Sequence, residues 1–266
     1  MKTIGIIGCG WLGKALGTAW VTQGNRVLGT TTQSSNLTAL NQLGIEGQLM
    51  ELTETQLLGN LNPLLECSSW IFAIPPQLRK GAPENFIHRL EVFGKSLSEY
   101  TGQFIYLSSS GVYRGREGVC KSSDIFKGET SRAQYLLDGE QLIRKWFPKA
   151  MILRLGGLIG PNRHPIRQLA GRKILNPKSR INFLHQIDAI GGIHQVVHTN
   201  MSGKTFNLVC PSHPERETYY EQMADLAQLP RPIFGEQIEK IKQVEGLEFC
   251  MKTGFNYRIK DLVRLD

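Results

Sequence analysis

Cysteine is scarce in this sequence. Its five thiols, Cys9, Cys67, Cys120, Cys210 and Cys250, are scattered and odd in number. That excludes a disulfide framework and leaves no C-x-x-C pair for a zinc ribbon or a redox motif. No His, Cys and Asp grouping has metal-ligand spacing, so no metal is expected. The thiols read as reduced, and a cytoplasmic location is the expectation. Long apolar runs are also missing, and none reaches the ~18 residues that a membrane helix needs. The apolar stretch before Cys9 imitates a lipoprotein signal but is too short for a signal peptide. No membrane association is expected. Acidic excess is lacking too: 31 Lys and Arg against 23 Asp and Glu leave a net charge of +8. A basic balance suits an anionic ligand such as a nucleotide or phosphate, or carries no partner at all. With 41% hydrophobic and 20% charged residues, the composition excludes disorder, and 266 residues can bury a core without a staple.

What the sequence does have is glycine at one telling place. Thr3-Ile4-Gly5-Ile6-Ile7 is a short apolar run rich in β-branched residues, and it ends at Gly8-Cys9-Gly10-Trp11-Leu12-Gly13. Leu12, Leu16, Ala19 and Trp20 then share one face at helical spacing. Gly24-Asn25 stops that helix before a second strand, Arg26-Val27-Leu28-Gly29-Thr30. Strand, G-x-G-x-x-G, helix and strand within about thirty residues form a dinucleotide fingerprint. Gly8 permits the tight turn, Gly10 lets backbone approach a pyrophosphate, and Gly13 lets helix and strand pack closely. Amides at the helix start, including those of Trp11 and Leu12, face the phosphates. Cys9 is read as a small residue inside the turn.

An NAD site carries an acidic residue near the end of the second strand, to bind the ribose 2′-hydroxyl. Here Thr30-Thr31-Thr32-Gln33-Ser34-Ser35-Asn36 has none. Thr31, Thr32 and Gln33 offer groups that can donate to a 2′-phosphate, so NADP is favoured over NAD. The usual phosphate-binding arginine is missing unless Arg26 or a distant residue reaches in.

Further strand and helix patterns alternate: strands at 44–51, 70–74, 103–107 and 150–155, helices at 86–100 and 132–147. Alternation predicts α/β architecture, a Rossmann-type doubly wound parallel sheet covered on both faces. Ligands bind beyond the carboxyl ends of such strands, where Ala73, Pro75-Pro76, Ser108–Ser110 and Gly156-Gly157 fall. Residues 1–155 are expected to form the NAD(P)-binding domain. Residues 156–266 are expected to supply final strands and a small C-terminal substrate lobe. From 161 to 187 there are six basic residues, Arg163, Arg167, Arg172, Lys173, Lys178 and Arg180, and no acid before Asp188. They suit a phosphorylated substrate, a nucleic acid or a solvated face. Only Phe183 supplies an aromatic there, which disfavours a nucleic-acid platform.

Together, Gly8-x-Gly10-x-x-Gly13, Ser108-Ser109-Ser110-Gly111-Val112-Tyr113, Arg154-Leu155-Gly156-Gly157-Leu158-Ile159-Gly160-Pro161 and Arg180–Asp188 resemble the short-chain dehydrogenase/reductase superfamily, in its extended, NAD(P)-dependent epimerase/dehydratase-like branch. The resemblance covers nearly the whole chain. It implies a Ser, a Tyr and a Lys that move a proton while nicotinamide moves a hydride. Ser109 matches the serine. Cofactor contacts are expected at Ala73, Pro75 and Ser108, and substrate contacts at Ser110, Tyr113 and Arg163; His185 is either a substrate contact or a residue of the core. The Y-x-x-x-K pair is not there. With Glu140 in the family register the two positions are Arg132 and Leu136; with Tyr135 as the tyrosine, the lysine position is Gly139. Tyr135 is the candidate catalytic tyrosine, with another cation such as Arg132, or else it packs on the core. The expectation is an NAD(P)-binding oxidoreductase or epimerase-like protein for a small carbonyl or sugar-like substrate. The alternative is a dinucleotide-binding sensor or scaffold without turnover. A homodimer stays open.

Overall fold

The computed structural model describes residues 1–76 and 84–263. Seven strands form the central sheet: β1 (Thr3–Ile7), β2 (Arg26–Thr31), β3 (Glu46–Leu49), β4 (Ser69–Phe72), β5 (Gln103–Ser109), β6 (Met151–Leu155) and β7 (Thr205–Leu208). Their order is β7-β6-β5-β4-β1-β2-β3. Pairings from β3 through β5 are parallel, with Ile4 opposite Val27 on one side and Ser69 on the other. The chain begins in the middle and reverses direction across the sheet between β1 and β4. Doubly wound sheets bind their ligands beyond the strand ends at such a switch point.

Residues of the parallel strands read as continuous apolar runs because both faces are covered. All four positions of β4 are buried, and so are the last four of β1. The observed strand Glu46–Leu49 is shorter than the 44–51 pattern. Glu51–Leu52 instead pairs antiparallel with Leu57–Leu58 as a small hairpin. The helices named below are α1 (Trp11–Val21), α2 (Ser35–Gln42), α3 (Glu84–Leu97), α4 (Ser131–Trp146) and α5 (Gln186–Thr199).

The chain divides into two compact units. The first comprises Met1–Ser108, Gln134–Leu153 and Val196–Thr205; the second comprises Ser109–Ala133, Arg154–Gln195 and Phe206–Asp266. The division is therefore interleaved rather than a single cut at 155/156. Segment 109–133 joins the carboxyl-terminal unit, and 196–205 returns to the first. A break in pattern along the sequence cannot reveal such a return, because compactness is set by contacts distant in sequence.

The first unit's core is aromatic. Trp70 stacks on Tyr100 at 3.6 Å between ring centroids and Phe104 on Phe147 at 4.4 Å, with Phe72 and Phe93 edge-on beside them. The second unit has its own core of Ile159, Ile166, Ile181, Tyr219, Tyr220 and Met223. Four of the five cysteines are buried and all are free. Burial pushes the Cys9 and Cys67 thiols up to about 12, so they are inert packing groups. Among the described residues no helix is long and apolar enough to cross a membrane, and no cluster of His, Cys, Asp or Glu could hold a metal.

Candidate functional site

The turn from β1 into α1 is built from the strand outward. Gly8 has φ +102°, a conformation that favours glycine, and its amide donates to Thr30 Oγ at 2.9 Å. The Cys9 amide donates to the Thr30 carbonyl at 2.8 Å. Thr30 is buried, so β2 fixes the turn from beneath. A Cβ at Gly13 would stand 2.6 Å from the Gly8 carbonyl oxygen. Helix and turn therefore approach as closely as backbone permits. Gly10 differs: a Cβ there would meet nothing within 4 Å. Its lack of a side chain answers to no neighbour in the protein. Gly10 is also the N-cap of α1, no side chain caps it, and the first turn holds no acid. An uncapped helix start facing open space is what an anion needs, since its amides and the helix dipole favour negative charge.

Thr31 and Gln33 lie at the end of β2, where Thr31 Oγ accepts from the Gln33 amide at 3.3 Å and from Asn36 Nδ2 at 3.4 Å. These groups brace the start of α2. Thr32 lines a small recess of about 190 Å³ with Leu49, Met50, Glu51, Leu58 and Gly59. Arg26 does not reach into this end of the strand. It sits at the opposite end of β2, held by both oxygens of Glu46 at 2.7 Å. Ala73 follows β4, and its amide donates to Ile7 at 2.8 Å. Ala73 and Ile74 pack about 3 Å beneath the place where a Gly8 Cβ would be. Pro75 is exposed just beyond.

Ser108, expected at the cofactor, faces inward. It is 8% exposed, and its hydroxyl donates to the buried Glu140 carboxylate at 2.6 Å. Ser109 caps the short helix Ser110–Tyr113 and accepts from the Gly111 amide at 3.0 Å. Ser110 opens that helix, half-buried.

Tyr135 Oη donates to Glu84 Oε1 at 2.7 Å, and that carboxylate raises the phenol's pKa. The shift is opposite to the one a proton-transferring tyrosine needs. Neither register supplies the lysine, for a packing reason. Leu136 is buried in the core, and Gly139 lets α4 approach α3, where a Cβ would come 2.8 Å from Phe86. These positions serve helix packing.

In the second unit, Tyr113 is a correction to the substrate role expected for it. It is fully buried. Arg154 Nη1 donates to its oxygen at 2.7 Å, and Asn207 Oδ1 lies 2.8 Å away. Phe126 stacks on its ring at 5.2 Å. Tyr113 is thus a core residue. His185 Nδ1 accepts from the Ile187 amide at 3.3 Å, and burial lowers its pKa. Asp188 is buried and accepts from the Arg258 and Ile259 amides at 2.7 and 3.0 Å, which fastens the carboxyl-terminal segment. Arg163 closes a turn with Gly160. Neither His185 nor Arg163 lines the cavity of this unit.

That cavity has a volume of about 540 Å³ and was only partly foreseen. Arg114, Arg180, Arg216, Lys240 and Lys242 line it, with Glu239. Arg114 faces Glu239 at 3.5 Å and Arg180 faces Glu215 at 3.5 Å, all half-exposed. Arg216 donates to the Leu175 carbonyl at 3.2 Å. Asn176 builds the wall that carries the lysines. It is 5% exposed, has φ +66°, and its Oδ1 accepts from the Ile238 and Glu239 amides at 2.8 and 2.9 Å. Of the six basic residues of segment 161–187, Arg180 lines the cavity and the other five do not. The sequence signal for the rest was faint: Lys240 and Lys242 alternate as strand residues on one face do, while Arg114 and Arg216 come from distant segments.

No family model matches the chain. Protein YeeZ of Escherichia coli K12 is 29% identical over 268 residues, covering 98% of this chain and 97% of YeeZ. Among solved structures, a functionally unknown conserved protein from Silicibacter pomeroyi superposes with a TM-score of 0.81 at 18% identity, covering 99% of this chain and 96% of that one. The UDP-glucuronic acid 4-epimerase from Bacillus cereus, solved in complex with NAD, superposes with a TM-score of 0.77 at 16% identity, covering 98% and 95%. The chain therefore shares, over nearly its whole length, the fold of this NAD-complexed epimerase.

Proposed function

We propose that this protein binds a nicotinamide dinucleotide at the turn Gly8–Gly13 and acts as an epimerase- or reductase-like protein on a small, sugar-like carbonyl substrate that carries negative charge. The observation that carries the reading is Gly10: it lies at an uncapped helix start, with nothing within 4 Å of a Cβ built on it. A pyrophosphate would rest on the helix start at Trp11 and Leu12, and Gly13 keeps the helix close to the turn. Bound there, the nicotinamide would supply hydride transfer. The epimerase from Bacillus cereus, solved with NAD, supports the choice of ligand by its fold.

NADP over NAD is part of the proposal. No carboxylate occurs from Thr30 to Asn36, so nothing there repels a 2′-phosphate. Thr31, Thr32 and Gln33 are placed at the end of β2 with donor groups. Ser109 is the catalytic serine of this reading. The cationic cavity of the second unit supports an anionic substrate.

A second reading, a dinucleotide-binding sensor without turnover, is favoured by one specific arrangement. With Tyr135 as the tyrosine, the lysine position is Gly139, which packs against Phe86, while Glu84 raises the Tyr135 phenol's pKa. Loss of positioned acid–base help costs about 10²–10⁴ in rate.

Thermal melts with NADP(H) and NAD(H) test the binding. A ligand at about 100 times its Kd stabilises by about 2.7 kcal/mol. The expected result is a shift with NADPH that exceeds the shift with NADH. No shift with either nucleotide overturns both readings. A substrate screen on the NADPH-binding protein then separates enzyme from sensor.

A further inference from the structure

Lys242 lies at the start of the strand Lys242–Val244, which pairs in parallel with Gly118–Cys120. Its side chain lines the cavity of the second unit. Arg114 and Arg180 each face a carboxylate, and Arg216 holds a carbonyl. Lys242 has no such partner: its ammonium makes no hydrogen bond or ion pair with any described residue. It is half-buried among Arg114, Arg180 and Lys240.

Two consequences follow from that placement. Desolvation is the largest influence on this amine and lowers its pKa; Cys120 opposes it, Arg114 lowers it further and Glu239 raises it. A lysine that is desolvated and set beside other cations is the kind that reacts as a free amine. The lining also holds five cations against the single carboxylate of Glu239, so a ligand with one negative charge leaves most of them unbalanced.

We propose that this cavity is a covalent carbonyl site, taking a phosphate-bearing aldehyde or ketone whose phosphate is held by the cavity arginines and whose carbonyl carbon meets Lys242 Nζ. The Nζ lone pair forms the C–N bond as the carbonyl π pair moves to oxygen. The ammonium proton passes to that oxygen, giving a carbinolamine. The hydroxyl then leaves as water, taking the remaining N–H proton as the nitrogen lone pair forms the C=N bond, and the imine is left. No oxidant or reductant is consumed. The step names the substrate class of the cavity in the function proposed above, and it stands without the dinucleotide.

The test uses pyridoxal 5′-phosphate as probe on the full chain, followed by borohydride reduction and peptide mapping. Lys242 is expected to be labelled faster than any other lysine, because more of it is present as the free amine. Inorganic pyrophosphate should protect it, and pyridoxal without the phosphate should label it slowly. Lys242→Arg should retain pyrophosphate binding and lose the fast-labelled peptide. Labelling spread evenly over surface lysines overturns the proposal, as does fast labelling that pyrophosphate leaves unchanged. The mapping is done on the unmutated chain, so it decides the matter even if the variant misfolds. Melts with NADPH are read separately, so failure of the dinucleotide reading is distinguishable from failure here.

Discussion

Tyr135 Oη donates to Glu84 Oε1 at 2.7 Å, tying α4 to the first residue of α3. The carboxylate accepts the phenol's proton in a hydrogen bond and repels the phenolate, so the tyrosine is held in its neutral form. A proton-transferring tyrosine needs a neighbouring cation instead. Glu84→Gln should therefore lower the Tyr135 titration midpoint, read as the tyrosinate absorbance that Tyr135→Phe removes. An unchanged midpoint would mean that the pair does not hold in solution. If a carbonyl substrate is found, the same variant is expected to turn it over faster, because it relieves the restraint on the phenol.

The second and third glycines of the fingerprint should respond differently to alanine. At Gly13 a Cβ would stand 2.6 Å from backbone that cannot yield, so Gly13→Ala forces helix and turn apart. Overpacking of this kind costs about 1–3 kcal/mol. At Gly10 nothing stands in the way. Gly10→Ala should melt like the unmutated protein, and Gly10→Val should fold yet lose its stabilisation by NADPH. Urea melts with and without nucleotide check both. Undiminished NADPH binding in the valine variant would place the pyrophosphate elsewhere.

The fingerprint was legible because it is local. Three glycines, one strand and one helix lie within a few turns of chain; Gly8 and Gly13 each have a steric reason, while Gly10 has none within the protein. The alternation of strands and helices was legible for the same reason, down to the buried runs of β1 and β4. Tyr113 was misread because a tyrosine next to a site motif looks like a site residue. Only the fold shows Arg154 and Asn207 converging on its hydroxyl. The cavity was hidden because its cations come from segments around 114, 180, 216 and 240 that only tertiary packing joins. Ser108 and Glu140 are 32 residues apart, and no local pattern announces that they pair.

Asn176 should prove to be a positioning residue for the cavity. Its side-chain oxygen accepts from two successive amides, those of Ile238 and Glu239, and its own amide donates to the Glu236 carbonyl at 2.9 Å. Asn176→Ala strands two donors on the loop that leads into Lys240 and Lys242. Each donor left unsatisfied in a buried setting costs about 1–3 kcal/mol. The variant should lose stability and also bind pyrophosphate more weakly. Asn176→Asp keeps the acceptor and should restore the stability lost. If both variants bind pyrophosphate as tightly as the unmutated chain, the loop does not depend on this clasp.

Acid should weaken the second unit through its histidines. His164, His185 and His213 all have pKa values lowered from 6.5, and burial is the largest cause for each. Each is also tied by a ring nitrogen: His164 to Tyr219 at 2.7 Å, His185 to the Ile187 amide, and His213 to the Ile181 carbonyl at 3.0 Å. The folded form favours the neutral rings, so the unfolded chain takes up protons first as pH falls. The stability these rings contribute is fully present above the unfolded pKa and is lost as pH drops through the folded values. Each ring removes at most about 1.4 kcal/mol per pH unit across that window. Urea midpoints should therefore fall on going from pH 7 to pH 5. Replacing His164 and His213 with glutamine should flatten the fall, measured against each variant's own midpoint at pH 7. A profile that keeps its full slope in the double variant would assign the acid sensitivity to other groups.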